Sequence, residues 1–113
     1  MGCGRVGATL ARSLSEHGHD VAVIDMDPSS FRRLGSSFEG RTVTGMGFDR
    51  GVLVAAGIKG AYAFAAVSSG DNSNILAARV ARETFGVEHV AARIYDPRRA
   101  AVYQRLGIPT VAT

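Results

Sequence analysis

The chain of 113 residues contains a single cysteine, Cys3, and no long uninterrupted apolar stretch. One cysteine excludes an internal disulfide and is typical of proteins in a reducing compartment. Apolar residues make up 46% of the composition. None of their runs reaches the roughly eighteen residues that a membrane-spanning helix needs, and the first ten residues lack the apolar core of a secretory signal. We therefore expect a single domain, residues 1–113, that does not enter the membrane.

Lysine is nearly absent: the chain has one lysine, Lys59, and twelve arginines. With ten acidic residues, the net charge is +3. A positive balance can indicate nucleic-acid binding. The arginines are scattered, however: only Arg32-Arg33 and Arg98-Arg99 are adjacent, and no aromatic residues alternate with them to stack bases. We therefore expect a solvated basic surface and no nucleic-acid partner.

The strongest signal is the segment GCGRVG at residues 2–7, which is followed by a helical pattern, an apolar strand and Asp25. This order is the fingerprint of a dinucleotide bound on a Rossmann-type sheet. We expect Gly2 to allow the tight turn, Gly4 to leave room for a pyrophosphate and Gly7 to let the helix pack closely on the sheet. The pyrophosphate would lie on free amides at the helix N-terminus. Asp25 would bind ribose hydroxyls, with a simple turn role as the alternative.

Helical and strand patterns alternate along the chain, as in proteins built on a parallel sheet. They predict an α/β fold with a Rossmann-like, doubly wound parallel sheet of strand order 3-2-1-4-5-6. The predicted helices cover residues 6–17, 49–54, 71–85 and 98–106, with a further helix starting after the N-cap Asp27. The first of these helices has an apolar face that consists of Val6, Leu10 and Leu14. Predicted strands cover residues 21–25, 41–44, 61–67, 87–94 and 108–113.

A strand normally precedes the glycine-rich turn, but only Met1 stands before Gly2. That strand is central in a doubly wound sheet, and its removal leaves two neighbouring strands with unpaired backbone. We therefore expect the chain to be an excised piece of a longer protein. Most of the first strand would be missing, and Met1 would be its last residue.

Ligands of open parallel sheets bind beyond the carboxyl ends of the strands, at the switch point. At those ends Gly45 and Met46 would flank the adenine, and Ser68 and Ser69 would lie near the second half of the ligand. The carboxylate of Asp25 repels a 2′-phosphate, which favours NAD over NADP. Of the neighbouring residues, we expect Asp27 to cap a helix and Cys3 to fill space. Arg5 and Arg93 face the phosphate side, with an exposed or ion-paired arginine as the alternative for both.

Groups for catalysis are sparse. His17, His19 and His89 are isolated from one another, which argues against a metal site. Tyr95 is followed in the next helical turn by Arg99 rather than by the lysine of a short-chain dehydrogenase, and no histidine lies at a carboxyl strand end. We therefore expect binding without catalysis. The alternative is the cofactor domain of an NAD-dependent oxidoreductase whose catalytic half lies elsewhere in a longer chain.

Several stretches together resemble the N-terminal domain of TrkA-type potassium-uptake regulators, also called the RCK or KTN domain. They are GCGRVG at 2–7, DVAVIDMD at 20–27, AAGI at 55–58, SGDNSN at 69–74, ARIYDP at 92–97 and LGIP at 106–109. The resemblance implies NAD(H) or ATP/ADP in the cleft, with Arg5 and Arg93 on phosphates and Asp25 on a ribose. Asn74 resembles the family's asparagine at the start of a helix, where a structural cap is the alternative.

The same resemblance implies a cytoplasmic regulator at the inner face of the plasma membrane. It would form dimers and then a ring beneath a membrane-embedded potassium channel or transporter. The regulatory tail of a cation/proton antiporter shares this domain and is a further alternative. The family usually has Gly-Asp where this chain has Gly45-Met46, so a hydrogen bond to adenine is lost and Met46 can only pack on the ring. The predicted cofactor-binding residues are Gly2, Cys3, Gly4, Arg5, Val6, Gly7, Asp25, Met26, Asp27, Gly45, Met46, Val67, Ser68, Ser69, Asn74 and Arg93.

Overall fold

The computed structural model describes residues 1–105 and 107–112, so that the predicted ends of the last helix at Leu106 and the last strand at Thr113 lie outside the described residues. Over the described residues, helices alternate with short strands. The α-helices are Arg5–Glu16 (α1), Arg50–Ala55 (α2), Asp71–Arg79 (α3) and Pro97–Arg105 (α4). The strands are Ala22–Asp25 (β1), Arg41–Thr44 (β2), Ala63–Ala66 (β3), His89–Ile94 (β4) and Thr110–Ala112 (β5).

The strands form two parallel sheets, β1-β2 and β3-β4-β5, whose facing edges are bridged by the first two residues. The amino group of Met1 donates to the Ala65 carbonyl at 2.7 Å, and the Met1 carbonyl accepts from the Val67 amide at 2.8 Å. On the other side, the Gly2 amide donates to the Ile24 carbonyl at 2.7 Å. The spatial order β2-β1-β3-β4-β5, with Met1 and Gly2 between β1 and β3, confirms the Rossmann-like α/β fold.

The apolar side chains pack into two clusters, and β1 contributes to both, with Ile24 in the larger cluster and Val23 in the smaller one. The larger cluster surrounds β3 and β4 and includes the fully buried Leu53 and Ile94. The smaller cluster lies under α1 and includes Cys3, Val23 and Leu34. Burial of side chains of this size supplies most of the driving force for folding.

Helix α1 packs on the sheet through small residues, and its larger apolar residues lie on the surface. A Cβ atom on Gly7 would overlap the Gly2 carbonyl and would lie 3.2 Å from Cγ2 of Val67, so the helix approaches the sheet very closely. Such an approach leaves space only for small side chains such as Ala8 and Ala11, which are buried. The predicted apolar face is therefore exposed; it consists of Val6, Leu10 and Leu14.

Three predicted elements differ in detail from the structure. The segment after Asp27 is a 3-10 helix, Pro28–Leu34, rather than an α-helix, because the Asp27 carboxylate accepts hydrogen bonds from the Ser29 amide and hydroxyl and tightens the first turn. The long helix expected over residues 71–85 changes after α3 into a π-helical turn, Val80–Thr84. The strand expected over residues 61–67 is regular only in β3, because the 3-10 turn Ile58–Gly60 precedes it closely. Across the described segments, the helices are too short or too polar to cross a membrane.

Candidate functional site

A cavity of about 740 Å³ opens at the carboxyl ends of β1 to β4, where the two sheets meet. This is the switch point of the fold, because the chain runs outward to β2 on one side and to β4 and β5 on the other. Ligands of open parallel sheets bind in this crevice. Most of the predicted cofactor-binding residues line it: Gly2, Gly4, Arg5, Val6, Asp25, Met26, Gly45, Met46, Val67, Ser68, Ser69 and Arg93.

The glycine-rich turn forms the floor of the cavity. Gly2 has a φ of +100°, and a Cβ atom there would lie 2.7 Å from the Ser68 amide nitrogen. A side chain at this position is therefore excluded by both backbone conformation and space. Gly4 faces open space at the cavity, because no neighbouring atom of the described residues lies within 4 Å of the place that a Cβ atom would take. The first-turn amides of α1 have no acceptor within the helix, so the turn presents donors where an anion would lie.

Asp25 ends β1 and holds the glycine-rich turn. Its Oδ2 accepts a hydrogen bond from the Cys3 amide at 2.7 Å, and its Oδ1 accepts one from the Asp27 amide at 2.8 Å. A carboxylate oxygen has the capacity for two hydrogen bonds, and Asp25 also lines the cavity. It therefore retains acceptor capacity for a sugar diol. The Cys3 amide, in contrast, is already bound and is not free for a pyrophosphate.

Three predicted residues around this turn do not line the cavity. Cys3 is fully buried, and its Sγ lies 3.4 Å from the Ser30 carbonyl. Burial, together with the charge of Asp25, raises the pKa of the Cys3 thiol, so it stays protonated and inert. The hydrogen bonds from Ser29 lower the pKa of Asp27, which caps the 3-10 helix. Gly7 provides the close approach of helix and sheet described above.

Asn74 also lies outside the cavity and is a polar residue buried in the core. Its Oδ1 accepts from the Ser68 amide at 2.9 Å and from the Ser68 hydroxyl at 2.6 Å. Its Nδ2 donates to the carbonyls of Ser68 at 2.9 Å and Arg93 at 2.7 Å. Both donor hydrogens and both acceptor sites are thus used. Asn74 joins the ends of β3 and β4 and has no capacity left for a ligand.

Two arginines supply positive charge to the cavity. Arg5 is exposed in the first turn of α1, and Arg93 is partly buried at the end of β4. Within residues 1–105 and 107–110, no carboxylate lies close enough to form an ion pair with either side chain. The guanidinium of Arg93 lies 4.4 Å from the centroid of the Tyr95 ring. Unpaired guanidinium groups in a cleft are suited to phosphate.

Part of the cavity lining is apolar. All three methionines of the chain line the cavity, and Met26 and Met46 are 64% and 46% exposed. Phe48 adds an aromatic ring to the lining. Polarizable thioethers adapt to a flat aromatic ring, so these side chains suit a nucleobase better than a phosphate.

Several cavity residues were missed by sequence reasoning. Most lie within two residues of predicted positions, so widening each predicted position by two residues would have found them. Ser30 is the exception, because it lies in the 3-10 helix, three residues after Asp27. The missed residues are Met1, Ile24, Ser30, Gly47, Phe48, Gly70, Ser73 and Tyr95. In the part of the chain that the structure describes, no three His, Cys, Asp or Glu side chains form a group that could hold a metal ion.

The parallel sheet, the glycine-rich turn and the crevice at the switch point define a Rossmann-like domain. All residues, 1–113, match the family model of the TrkA-N domain. The chain therefore belongs to the TrkA-N domain family, as its sequence motifs predicted.

The relatives and structural neighbours agree with this family. The chain is 78% identical, over all 113 residues, to half (51%) of the Trk system potassium uptake protein TrkA of Streptomyces coelicolor. It is 37% identical over 106 residues to the Trk system potassium uptake protein TrkA homolog of Pyrococcus abyssi, covering 94% of this chain and 47% of that protein. The chain thus spans about half the length of these curated relatives.

A solved structure, the Kef CTD of Shewanella denitrificans in an AMP-bound form, superposes with a TM-score of 0.85 and 25% identity, covering 99% of this chain and 68% of that one. The TrkA-N domain of the inner membrane protein ybaL from Escherichia coli superposes with a TM-score of 0.79 over 99% of this chain and 82% of that one. Its identity is 19%, so this second likeness concerns the fold alone.

Proposed function

We propose that this chain is the regulatory nucleotide-binding domain of a Trk-type potassium uptake system. NAD(H) or ATP/ADP would bind in the cavity, with the base between Met26 and Met46, a ribose on Asp25 and the phosphates on the glycine-rich turn, Arg5 and Arg93. The 78% identity to a Trk system potassium uptake protein supports the system. The AMP-bound form of the similar Kef domain supports an adenine nucleotide as the ligand class.

One observation carries this proposal. The cavity lining combines a carboxylate, two guanidinium groups and thioethers. A nucleotide has a matching set of groups: a diol, an anionic phosphate chain and a flat base. The proposed pose therefore satisfies each part of the ligand with a chemically matched part of the protein.

We further propose that the domain binds its nucleotide without chemical change. The polar side chains that line the cavity are Arg5, Asp25, Arg93, Tyr95 and serines. Asp25 is bound to two backbone amides, and no lining histidine is available as a general base among the described residues. Nothing in this set pairs a nucleophile with a base.

The partner in this proposal is a membrane-embedded potassium channel or transporter subunit at the inner face of the plasma membrane. The domain itself would be cytoplasmic and would assemble as dimers and then a ring. A ligand can shift such an assembly only through different affinities for its two states. A phosphate clamped by Arg5 and Arg93 in one state would supply that difference, because neither guanidinium pairs with a carboxylate among the described residues.

The proposal is tested with the Arg93→Ala substitution in the whole protein. We expect the affinities for ATP and NADH to fall at least about tenfold, because a charge-assisted hydrogen bond to phosphate is lost, and nucleotide control of potassium uptake to weaken with them. Calorimetry and potassium flux measure the two effects. Arg98→Ala, on the exposed face of α4, is the matched control, because Arg98 pairs with Asp96 away from the cavity. Unchanged affinity and unchanged flux in the Arg93 variant would refute the proposal.

A further inference from the structure

Tyr95 follows β4 and lies beside Arg93, but no role in ligand binding follows from its sequence position alone. We propose that Tyr95 is a positioning residue, which holds the guanidinium of Arg93 where a nucleotide phosphate meets it. The inference deepens the proposed function and rests on it.

The two side chains face the same cavity because they lie two residues apart at a strand end, where alternate residues share a face. The guanidinium carbon of Arg93 lies 4.4 Å from the centroid of the Tyr95 ring. This is well within the range over which an aromatic face attracts a cation. Tyr95 is 43% exposed, so its ring is not held there by burial in the core.

The backbone on both sides of this pair is fixed by the first turn of α3. Nδ2 of Asn74 donates to the Arg93 carbonyl at 2.7 Å. The carboxylate of Asp71 accepts from the amides of Tyr95 at 2.8 Å and Asp96 at 3.1 Å. The peptide frame is therefore rigid, and what remains to be fixed is the long side chain of Arg93.

The ring is the neighbour that fixes this side chain. Nε of Arg93 is buried and has no hydrogen-bond partner among the described residues. No carboxylate of residues 1–105 or 107–110 lies within ion-pair distance of the guanidinium. Stacking on Tyr95 thus stabilises the charge and restricts the Arg93 side chain to fewer rotamers before a ligand binds. Less conformational entropy is then lost on binding. The terminal nitrogens of Arg93 form no ion pair with the described residues and can donate to an anion.

The test is a double-mutant cycle on the protein, with ATP affinity measured by calorimetry at low salt. Tyr95→Leu is expected to weaken ATP binding about fivefold, within the range of a cation–π contact. Tyr95→Phe keeps the ring and is expected to retain the affinity. In an Arg93→Gln background, Tyr95→Leu is expected to cause no further loss, because its effect acts through the arginine.

Two controls separate positioning from a structural role. Adenosine has no phosphate, so its affinity is expected to be the same for Tyr95→Leu and the unsubstituted protein. Tyr62→Leu makes the same chemical change at the opposite end of the sheet, where Tyr62 is 80% exposed and packs on His89, and it is expected to leave ATP binding unchanged.

Three results would overturn the inference while the proposed function stands: losses that add in the double variant, an equal loss for adenosine, or a Tyr95→Phe variant as weak as Tyr95→Leu. If the unsubstituted protein binds no nucleotide at all, the proposed function fails and this inference fails with it.

Discussion

Asp25 at the end of β1 and Asn74 in the first turn of α3 both hold backbone groups beside the cavity, and they use their polar side-chain atoms differently. Each binds backbone groups at the carboxyl end of a strand beside the cavity. Asn74 is fully buried and has every hydrogen-bonding site occupied by protein. Asp25 is partly exposed, has one protein hydrogen bond on each oxygen and faces the cavity. The comparison indicates that one residue only holds the site together, whereas the other also has capacity to bind.

The largest effect is expected from Asn74→Ala. The substitution leaves the Ser68 amide and the carbonyls of Ser68 and Arg93 without partners in a buried place, so we expect the free energy of unfolding to fall by about 3 kcal/mol. Urea titration measures the change. Asn72→Ala is the control, because Asn72 accepts only an exposed hydrogen bond from Arg99. If Asn74→Ala is as stable as Asn72→Ala, this result contradicts the role of Asn74 in joining the ends of β3 and β4.

The next largest effect is expected from the amino group of Met1, which lies between β1 and β3. Burial lowers the pKa of this amine from 8.0 to about 6. Between pH 6 and pH 8 the unfolded chain therefore binds more protons than the folded chain. The free energy of unfolding is thus expected to rise by about 2 kcal/mol as the pH increases from 6 to 8.

This pH dependence is measured on the 113-residue chain, with mass spectrometry to confirm that Met1 is retained. A chain extended by one alanine before Met1 has an amide in place of the amine and is the control. The difference between the two pH profiles isolates the amine from the histidines. Parallel profiles would contradict a buried amino group between the sheets.

Asp25→Asn tests whether Asp25 binds the ligand as well as holding the glycine-rich turn. The amide has one oxygen, so one of the two backbone hydrogen bonds is lost, and a cost of about 1 kcal/mol in unfolding free energy is expected. ATP affinity is expected to fall about tenfold, because a neutral oxygen replaces the carboxylate at the sugar. With 2′,3′-dideoxy-ATP, which has no diol, the unsubstituted protein and the variant are expected to bind equally. A tenfold difference with this analogue too would show that Asp25 acts only through the turn.

The smallest effect is expected from the exposed ion pair between Arg79 at the end of α3 and Glu83 in the π-helical turn. Arg79 and Glu83 are 3.4 Å apart, and both side chains are more than half exposed. Such pairs contribute about 0.3 kcal/mol, so Glu83→Gln is expected to leave the thermal midpoint and ATP affinity unchanged within error. A loss of stability comparable to that of Asn74→Ala would break the distinction between buried and exposed contacts.

The sequence predicted the strand ends and the glycine-rich turn well, because these depend on local patterns. The periodicity of apolar residues placed β1 to β4, and Gly2 and Asp25 follow a fixed spacing. The roles of Asn74 and Tyr95 could not be assigned in the same way. They depend on Ser68 and on backbone groups of β4, which come close only when the sheet forms.

Helix α1 also has a feature that depends on tertiary contacts and not on the local pattern. Its apolar pattern is regular, and Leu10 and Leu14 resemble core positions. The close approach at Gly7 decides instead that small residues face the sheet. Periodicity gives the direction of a face, and the distance between elements decides which residues fit beneath it.

The central claim, that the cavity binds a nucleotide, is tested most directly by calorimetric titration of the protein with ATP, ADP, AMP, NAD⁺ and NADH. We expect saturable binding, with one site per chain, for at least one of these ligands, and a loss of about tenfold for that ligand in the Arg93→Gln variant. No saturable heat with any of the five, or equal affinities with and without Arg93, would contradict the account.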